Sequence, residues 1–258
     1  MTPAFAYPLR EFGHQWLVYR RSWRGSIVIG LLNPLLFLTG IGIGIGRLVD
    51  ANHATLGVSY LSFLAPGMIA ASAMQMAFTS GAFQVFFQAQ ATGSYTYTVA
   101  TPLSPRDIMI GQQLFSSARV GLLSAGFFVI QVALGAADSW MSLLTVPVAV
   151  LTGLAFSAPA AAWAIGVRDF RHIRTFFRFV IQPLYLLSGT FFPLSTQAHW
   201  VQTLAYASPL WHGVELCRTL NLGTATLTGS LVHIGYLLLF VVAGLVVGSW
   251  RFRRRLHA

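Results

Sequence analysis

The chain contains no lysine, and all 16 of its basic residues are arginine. A Walker A loop needs a lysine to contact the nucleotide phosphates, so no standard P-loop is present. Schiff-base chemistry also needs a lysine and is excluded for the same reason. The single cysteine, Cys217, excludes an internal disulfide framework and a metal site built from several cysteines. We expect it to be a small buried apolar residue.

Charge is scarce throughout the sequence. Charged residues make up 9% of the 258 residues, and hydrophobic residues make up 55%. Soluble domains carry about 25% charged residues. A soluble fold of this size cannot hide so much apolar surface, so the composition predicts an all-α membrane protein that crosses the bilayer several times.

Carboxylates and paired histidines are also scarce. The six carboxylates are Glu11, Asp50, Asp107, Asp138, Asp169 and Glu215, and none lies in the middle of a predicted span. Coupled transporters generally need ionisable groups at mid-membrane, and Arg119 is the only candidate. The histidines have no metal-ligand spacing, and we expect His199 and His212 to be interfacial. The sequence therefore predicts no metal, no cofactor and no catalytic site, and a transporter of this kind needs energy from another subunit.

Apolar runs bounded by arginine, proline and glycine predict six transmembrane helices within a single domain, 1–258. They cover 26–46, 58–82, 108–134, 141–167, 175–192 and 227–250. Residues 8–24 carry one apolar stripe, which predicts an amphipathic helix lying at the membrane interface. A solvated helix packed on a partner is the alternative. Residues 196–222 predict two helices too short to cross, and hence a re-entrant hairpin before the last span.

One pair of residues in the hairpin has two alternative interpretations. Glu215 and Arg218 are three residues apart on its second helix, a spacing that suits a local ion pair. The same two residues could instead form a polar gate or headgroup contact at the exit of a transport path. His212 belongs to the same predicted exit hairpin.

The stretch GSYTYTVATPLSPRDIMIG, residues 93–111, is neither apolar enough to cross a membrane nor basic. Ser104 is placed as a helix N-cap, with Pro105 at the first helical position and Asp107 three residues after the cap. A short exposed element, 93–100, thus ends at a sharp turn from which a long apolar helix begins. We interpret this element as the site at which a separate, energy-supplying subunit acts on the membrane protein.

Arginines are distributed very unevenly between the two sides of the predicted membrane. With six spans, one side receives Arg10, Arg20, Arg21, Arg24, Arg106, Arg168, Arg171, Arg174, Arg178, Arg251, Arg253, Arg254 and Arg255. The other side receives only Arg47 and Arg218. The positive-inside rule then places both termini in the cytoplasm. Because topology accounts for the net charge of +10, we expect no nucleic-acid partner.

Five segments together resemble a known family. They are NPLLFLTGIGIGIGRLV (33–49), SYLSFLAPGMIAASAM (59–74), YTVATPLSPRDIMIGQQLF (97–115), SGTFFPLS (188–195) and ASPLWHGVELCRTLNLG (207–223). They are similar to the membrane subunit of type-2 ABC exporters, especially the branch that exports lipo-oligosaccharides such as nodulation factors. The resemblance extends over nearly the whole chain.

The resemblance implies a permease of the bacterial inner membrane that pairs with a second permease, identical or paralogous. Two copies of a separate ABC ATPase would bind ATP and magnesium on the cytoplasmic side. A coupling helix at about 93–100 would dock on the ATPase, with Tyr95, Tyr97, Val99 and Leu103 as docking side chains. Membrane lipid is the remaining expected partner.

The chain departs from the family pattern at one position. We expect relatives to carry a glutamate after the glycine that opens the third span, and here Gln112 follows Gly111. The resemblance implies that the substrate is an amphiphile exported from the cell, either a lipid-linked saccharide or lipo-oligosaccharide or a hydrophobic drug. The alternatives are a passive channel or structural membrane partner without an ATPase, and a membrane enzyme that depends on His199 or His212.

Overall fold

The computed structural model describes residues 6–46, 57–95 and 103–256. Across these ranges the regular structure is helical, with no β-strand. Helix α1 covers 6–45, as an α-helix over Ala6–Phe37 that continues in wider π-helical turns over Leu38–Ile45. Helix α2 covers 60–91, with its regular part at Tyr60–Phe78 and wider turns at Thr79–Gln84 and Phe87–Ala91.

The second half of the chain begins with α3, Pro105–Ala133, and α4, Thr145–Ala164, which follows a short 3-10 turn at Trp140–Leu144. Helix α5 covers 170–187 and is built from Phe170–Phe176, Phe177–Ile181 and Gln182–Leu187. The short helices α6, His199–Tyr206, and α7, Pro209–Asn221, precede the long helix α8, Leu227–Leu256.

The predicted boundary between an interfacial helix and a first span is absent from the structure. The sequence predicts separate helices over 8–24 and 26–46, but α1 runs through both without a break. Gly25 has a negative φ and open space around its Cα, so nothing forces the chain to turn there. One continuous rod therefore replaces the two predicted elements.

Four helices in the described part of the chain are long and apolar enough to cross a membrane. These are Tyr60–Gln90, Pro105–Ala133, Trp140–Ala164 and Leu227–Leu256. The two predicted short helices of the hairpin are also present, as α6 and α7. Ser208 caps α7 by accepting from the backbone N–H of Leu210, and Gly223, at φ +69°, follows its last turn.

Small residues set the directions in which the helices pack. Gly126 lies against Leu31, and Gly30 against Leu123, so α1 and α3 run parallel. Helices α4 and α8 also run parallel, because Gly244 lies on Pro159 and, further along both helices, Arg251 donates to the carbonyl of Ala162.

Helix α2 lies at the centre of the bundle and packs closely against α4. A Cβ on Gly81 would meet the backbone of Ser157, with its Cα only 2.9 Å away. Since a backbone atom cannot move aside as a side chain does, glycine is the residue that permits this crossing. A second close contact lies where Gly213 of α7 packs on the side chain of Thr152 in α4.

Replacing Gly81 with alanine should therefore lower the free energy of unfolding by about 2 kcal/mol, through overpacking against a rigid backbone. The measurement is the melting temperature of the purified protein in detergent. Gly13→Ala is the matched control, because a Cβ there has nothing within 4 Å, and alanine stabilises an open helical position. Equal melting temperatures for the two variants would contradict the close α2–α4 contact.

Candidate functional site

The turn before α3 has the capping geometry that the sequence predicts. The Ser104 hydroxyl accepts from the backbone N–H of Asp107 at 3.3 Å, and Oδ2 of Asp107 accepts from the backbone N–H of Ser104 at 2.9 Å. Pro105 occupies the first turn of the helix. The backbone N–H groups of Ser104 and Asp107 are thus each bonded to the other residue's side chain. This capping box fixes the direction in which the chain enters α3.

The predicted coupling residues fall in different places. Tyr97 and Val99 lie outside the described residues, as does most of 93–100, and Leu103 is partly exposed immediately before the cap. Tyr95 is 1% exposed, and its ring lies 5.8 Å from that of Phe252 in α8. Burial, and then the nearby carboxylate of Glu11, raise the pKa of Tyr95. Its buried ring corrects the expectation that it belongs to an exposed docking surface.

Gln112, at the position where we expect relatives to carry glutamate, is fully buried and bonded through both ends of its amide. Its Nε2 donates to the backbone carbonyl of Ser80 at 2.9 Å, and its Oε1 accepts from the Tyr95 hydroxyl at 3.5 Å. A carboxylate could accept from the tyrosine but could not donate to the carbonyl. The glutamine thus links α2, Tyr95 and α3 without burying a charge.

Arg119 lies about four turns along α3, on the same side of the bundle as Gln112. Its Nη1 donates to the Ser80 hydroxyl at 3.2 Å, and its guanidinium lies 5.2 Å from the centre of the Tyr19 ring and 5.7 Å from that of Phe115. The aromatic faces and the hydroxyl stabilise a cation that the apolar helices alone would not.

A cavity of about 210 Å³ opens beside Arg119 between α1, α2 and α3, and we call it the polar inlet. Its walls are formed by His14, Gln15, Val18, Tyr19, Gln84, Gln88, Phe115 and Arg119. Sequence reasoning did not identify it. The only signal was the run of glutamines that makes the end of α2 more polar than its start, and nothing local connected that run to Gln15 or to Arg119.

Arg218 of α7 is 9% exposed and bonds far beyond its predicted partner. Its Nη1 contacts Glu215 at 3.2 Å, its Nη2 donates to the carbonyl of Gly189 at 2.7 Å, and its Nε donates to the carbonyl of Phe63 at 3.5 Å. The guanidinium also lies 3.8 Å from the centre of the Phe63 ring. The predicted local ion pair is therefore one part of a clamp that joins α7, the loop after α5 and the start of α2.

A second polar link at the same end of the bundle was not predicted. Gln131 of α3 donates to Oδ1 of Asn221 at 2.7 Å and to the carbonyl of Ala136 at 3.0 Å. Asn221 in turn donates to the carbonyls of Ala136 and Ser62. The two amides hold the ends of α2, α3 and α7 together, about one turn from Arg218.

His212 pairs with a histidine of the last helix. Its Nδ1 lies 2.9 Å from Nδ1 of His233, its Nε2 lies 3.2 Å from the carbonyl of Tyr206, and its ring stacks on Tyr236 at 3.9 Å. His199 is exposed on α6. In the described part of the chain, no group of three or more His, Cys, Asp or Glu side chains is arranged to hold a metal ion.

Comparison with known proteins identifies the family. A family model described as "ABC-2 type transporter" matches residues 12–222. The chain belongs to the ABC-2 type transporter family. Its relatives include Nodulation protein J of Rhizobium leguminosarum bv. viciae, which is 31% identical over 96% of this chain and 94% of that protein. Nodulation protein J of Rhizobium meliloti (strain 1021) is also 31% identical, over 99% of both chains.

A more distant relative is described as an inner membrane transport permease, YadH of Escherichia coli (strain K12). It is 26% identical over 87% of this chain and 86% of its own length. The predicted resemblance is thereby confirmed, and this ABC-2 permease is a multi-pass membrane protein and a transport subunit. Two clusters of hydrogen-bonded polar groups lie in the apolar bundle, one around Gln112 and Arg119 and the other around Arg218.

The Arg218 clamp should be structural. Arg218→Gln would leave the Glu215 carboxylate and two backbone carbonyls without their cation, and should lower the free energy of unfolding by about 3 kcal/mol. Glu215→Gln should cost less, because Glu215 is partly exposed and Arg218 keeps both carbonyls. The melting temperatures of the two purified variants test this predicted order of stability. If the glutamate variant were the less stable of the two, the ion pair rather than the carbonyl contacts would hold this end together.

Proposed function

We propose that this chain is the membrane subunit of an ATP-driven exporter that moves an amphiphile outward across the bacterial inner membrane. The substrate is a lipid-linked saccharide or lipo-oligosaccharide, or a hydrophobic drug. Membership of the ABC-2 type transporter family carries the proposal, and similarity to Nodulation protein J supports the saccharide class. Two copies of a separate ABC ATPase bind ATP and magnesium, because this lysine-free chain has no P-loop.

The capped turn is the proposed point at which the ATPase acts. It joins α2 to α3 next to the arginine-rich end of α8, and its cap and Tyr95 couple it to three helices. Movement of the capped residues 104–107 would be transmitted to α3, because they form its first turn. Tyr97, Val99 and Leu103 then provide the docking side chains, and Tyr95 anchors the element from inside.

The directions of the helices support six crossings rather than four. Helices α4 and α8 run parallel, so the chain between them must return across the bilayer. Helix α5 is the only long helix in that interval, and its arginines, Arg171, Arg174 and Arg178, lie in its first half, where they can reach the cytoplasmic surface. Because α1 runs parallel to α3, the same reasoning makes α1 the first crossing.

Helices α6 and α7 are too short to cross, at 8 and 13 residues. Helix α7 contacts α2, α4 and α8, and α6 contacts α5 and α7. This position, near the end opposite the capped turn, suits a re-entrant hairpin at the outer exit. Both termini then lie in the cytoplasm, and a second permease, identical or paralogous, completes the transport path.

The first experiment is purification of the tagged chain from its native membrane in mild detergent, with identification of the proteins that accompany it. A P-loop ATPase should co-purify, and Leu103→Arg should remove it by placing a bulky cation on the docking surface. Leu143→Arg, at the other end of the bundle, is the control that should retain the ATPase. If the membrane dimer persists but no ATPase accompanies the unmodified chain, a passive channel or scaffold becomes the better explanation.

Topology can be tested by cysteine labelling, since the only natural cysteine, Cys217, is buried. Single cysteines at Arg106 and Arg253 should react with a membrane-impermeant maleimide only after the cells are broken. Cysteines at Asp138 and Gln197 should react in intact cells. Labelling of Gln197→Cys only in broken cells would show that α5 does not cross and would overturn the six-span arrangement.

A further inference from the structure

The polar inlet has a directional chain of hydrogen bonds that determines what it can bind. Glu11, as a carboxylate, only accepts hydrogen bonds. Gln15 therefore presents its Nε2 to Glu11, at 2.7 Å, and turns its Oε1 toward α2. That oxygen accepts from Nε2 of Gln84 at 3.4 Å. Each amide in the chain is thus oriented by the one before it.

The chain ends on Gln84, and two glutamine oxygens on this wall have no hydrogen-bond donor in the described structure. With its Nε2 committed to Gln15, Gln84 is left with a buried Oε1 that accepts no hydrogen bond in the described structure. Oε1 of Gln88, one turn further along α2, is also buried without a partner. A buried acceptor without a donor is destabilising, so this wall favours a ligand that brings N–H or O–H groups. The terminal torsion of a glutamine is soft, and a small rotation brings its oxygen to the cavity surface.

The opposite wall of the inlet donates hydrogen bonds, through Arg119. Arg119 is a permanent cation with several N–H groups, and it faces the same cavity. A ligand that fits both walls must donate to the glutamine oxygens and accept from the guanidinium. A phosphate would satisfy Arg119 but meet two acceptor oxygens, and an ammonium group would satisfy those oxygens but be repelled by Arg119. Neutral hydroxyl groups fulfil both requirements.

The position of the inlet suits the headgroup of an amphiphile. It lies between α1 and the core helices, toward the end of the bundle that carries most of the arginines, and exposed His14 and Val18 form its rim. An entry from the side allows an alkyl chain to remain in the lipid while the headgroup enters. The cavity volume of about 210 Å³ suits one monosaccharide-sized headgroup but not a long glycan.

We propose that the polar inlet, formed by Gln84, Gln88 and Arg119, binds the neutral hydroxyl-bearing headgroup of an amphiphile in the inner leaflet. This inference rests on the proposed export function and narrows its substrate class. It selects a glycolipid-like substrate over a cationic or purely hydrophobic drug.

The experiment uses the purified full-length chain, without an ATPase, in phosphatidylcholine vesicles. The probe is an alkyl β-glucoside with a diazirine on the chain carbon next to the sugar, and the crosslinked peptides are identified by mass spectrometry. Two comparison probes carry the same chain and diazirine with a phosphate or a trimethylammonium headgroup. The glucoside should label peptides around Gln15, Gln88 and Arg119 more strongly than either comparison probe.

Gln88→Met is the deciding variant, because methionine preserves the length of the side chain and removes only the polar atoms. Glucoside labelling of the inlet should fall about 3- to 10-fold, the loss expected for one or two neutral hydrogen bonds. The melting temperature should not fall, since the lost oxygen has no internal partner. Gln182→Met, on α5 outside the inlet, is the matched control. The glucoside probe should label the inlet peptides of this variant as strongly as those of the unmodified chain.

Three results would overturn the proposal. Equal labelling by all three probes would identify an ordinary lipid-facing surface, and labelling by the phosphate probe that survives Gln88→Met would identify an anion site. Abolition of glucoside labelling by excess free glucose would identify a site for soluble sugar rather than for an amphiphile. The labelling experiment contains no ATPase, so a negative labelling result does not contradict the proposed export function. Equally, failure of an ATPase to co-purify does not contradict glucoside binding at the inlet.

Discussion

Ser80 receives two hydrogen bonds from α3, and the packing of α2 on α3 depends on this contact. Its backbone carbonyl accepts from Gln112, and its hydroxyl accepts from Arg119. Ser80 is fully buried, so the two bonds restrain both the spacing and the rotation of α2 relative to α3. Gly81, the next residue, lies about 100° further round the helix and packs on the backbone of Ser157 in α4. The central helix is thus held by α3 and by α4 at one level.

The two buried polar clusters differ in what surrounds their unsatisfied atoms. Around Arg218, all three guanidinium nitrogens contact acceptors and Asn221 bonds to Gln131 and to two backbone carbonyls, but Oε1 of Gln131 has no donor. The amide chain from Glu11 ends on Gln84, whose Oε1 also has no donor and whose side chain lines the polar inlet. An unsatisfied acceptor beside a cavity is one that a ligand can reach.

Several features were predictable because their causes are local in the chain. The cap at Ser104 depends on Pro105 and Asp107, all within one turn, and Ser208 and Gly223 bound α7 for similar reasons. Where a local signal was weak, prediction failed. Residues around Gly25 change from polar to apolar, which suggested two helices, but α1 continues because an amphipathic and an apolar segment can share one helical backbone.

The sequence by itself determined the class of protein, an apolar and arginine-biased membrane chain with family motifs, since composition and short-range patterns carry that information. Tertiary structure alone decided which polar residues meet. Arg218 reaches Gly189 and Phe63, and the amide chain from Glu11 reaches Gln84, across separations of 29, 155 and about 70 residues. A glutamine or arginine can pair with many groups, and only the packing of the helices selects the partner.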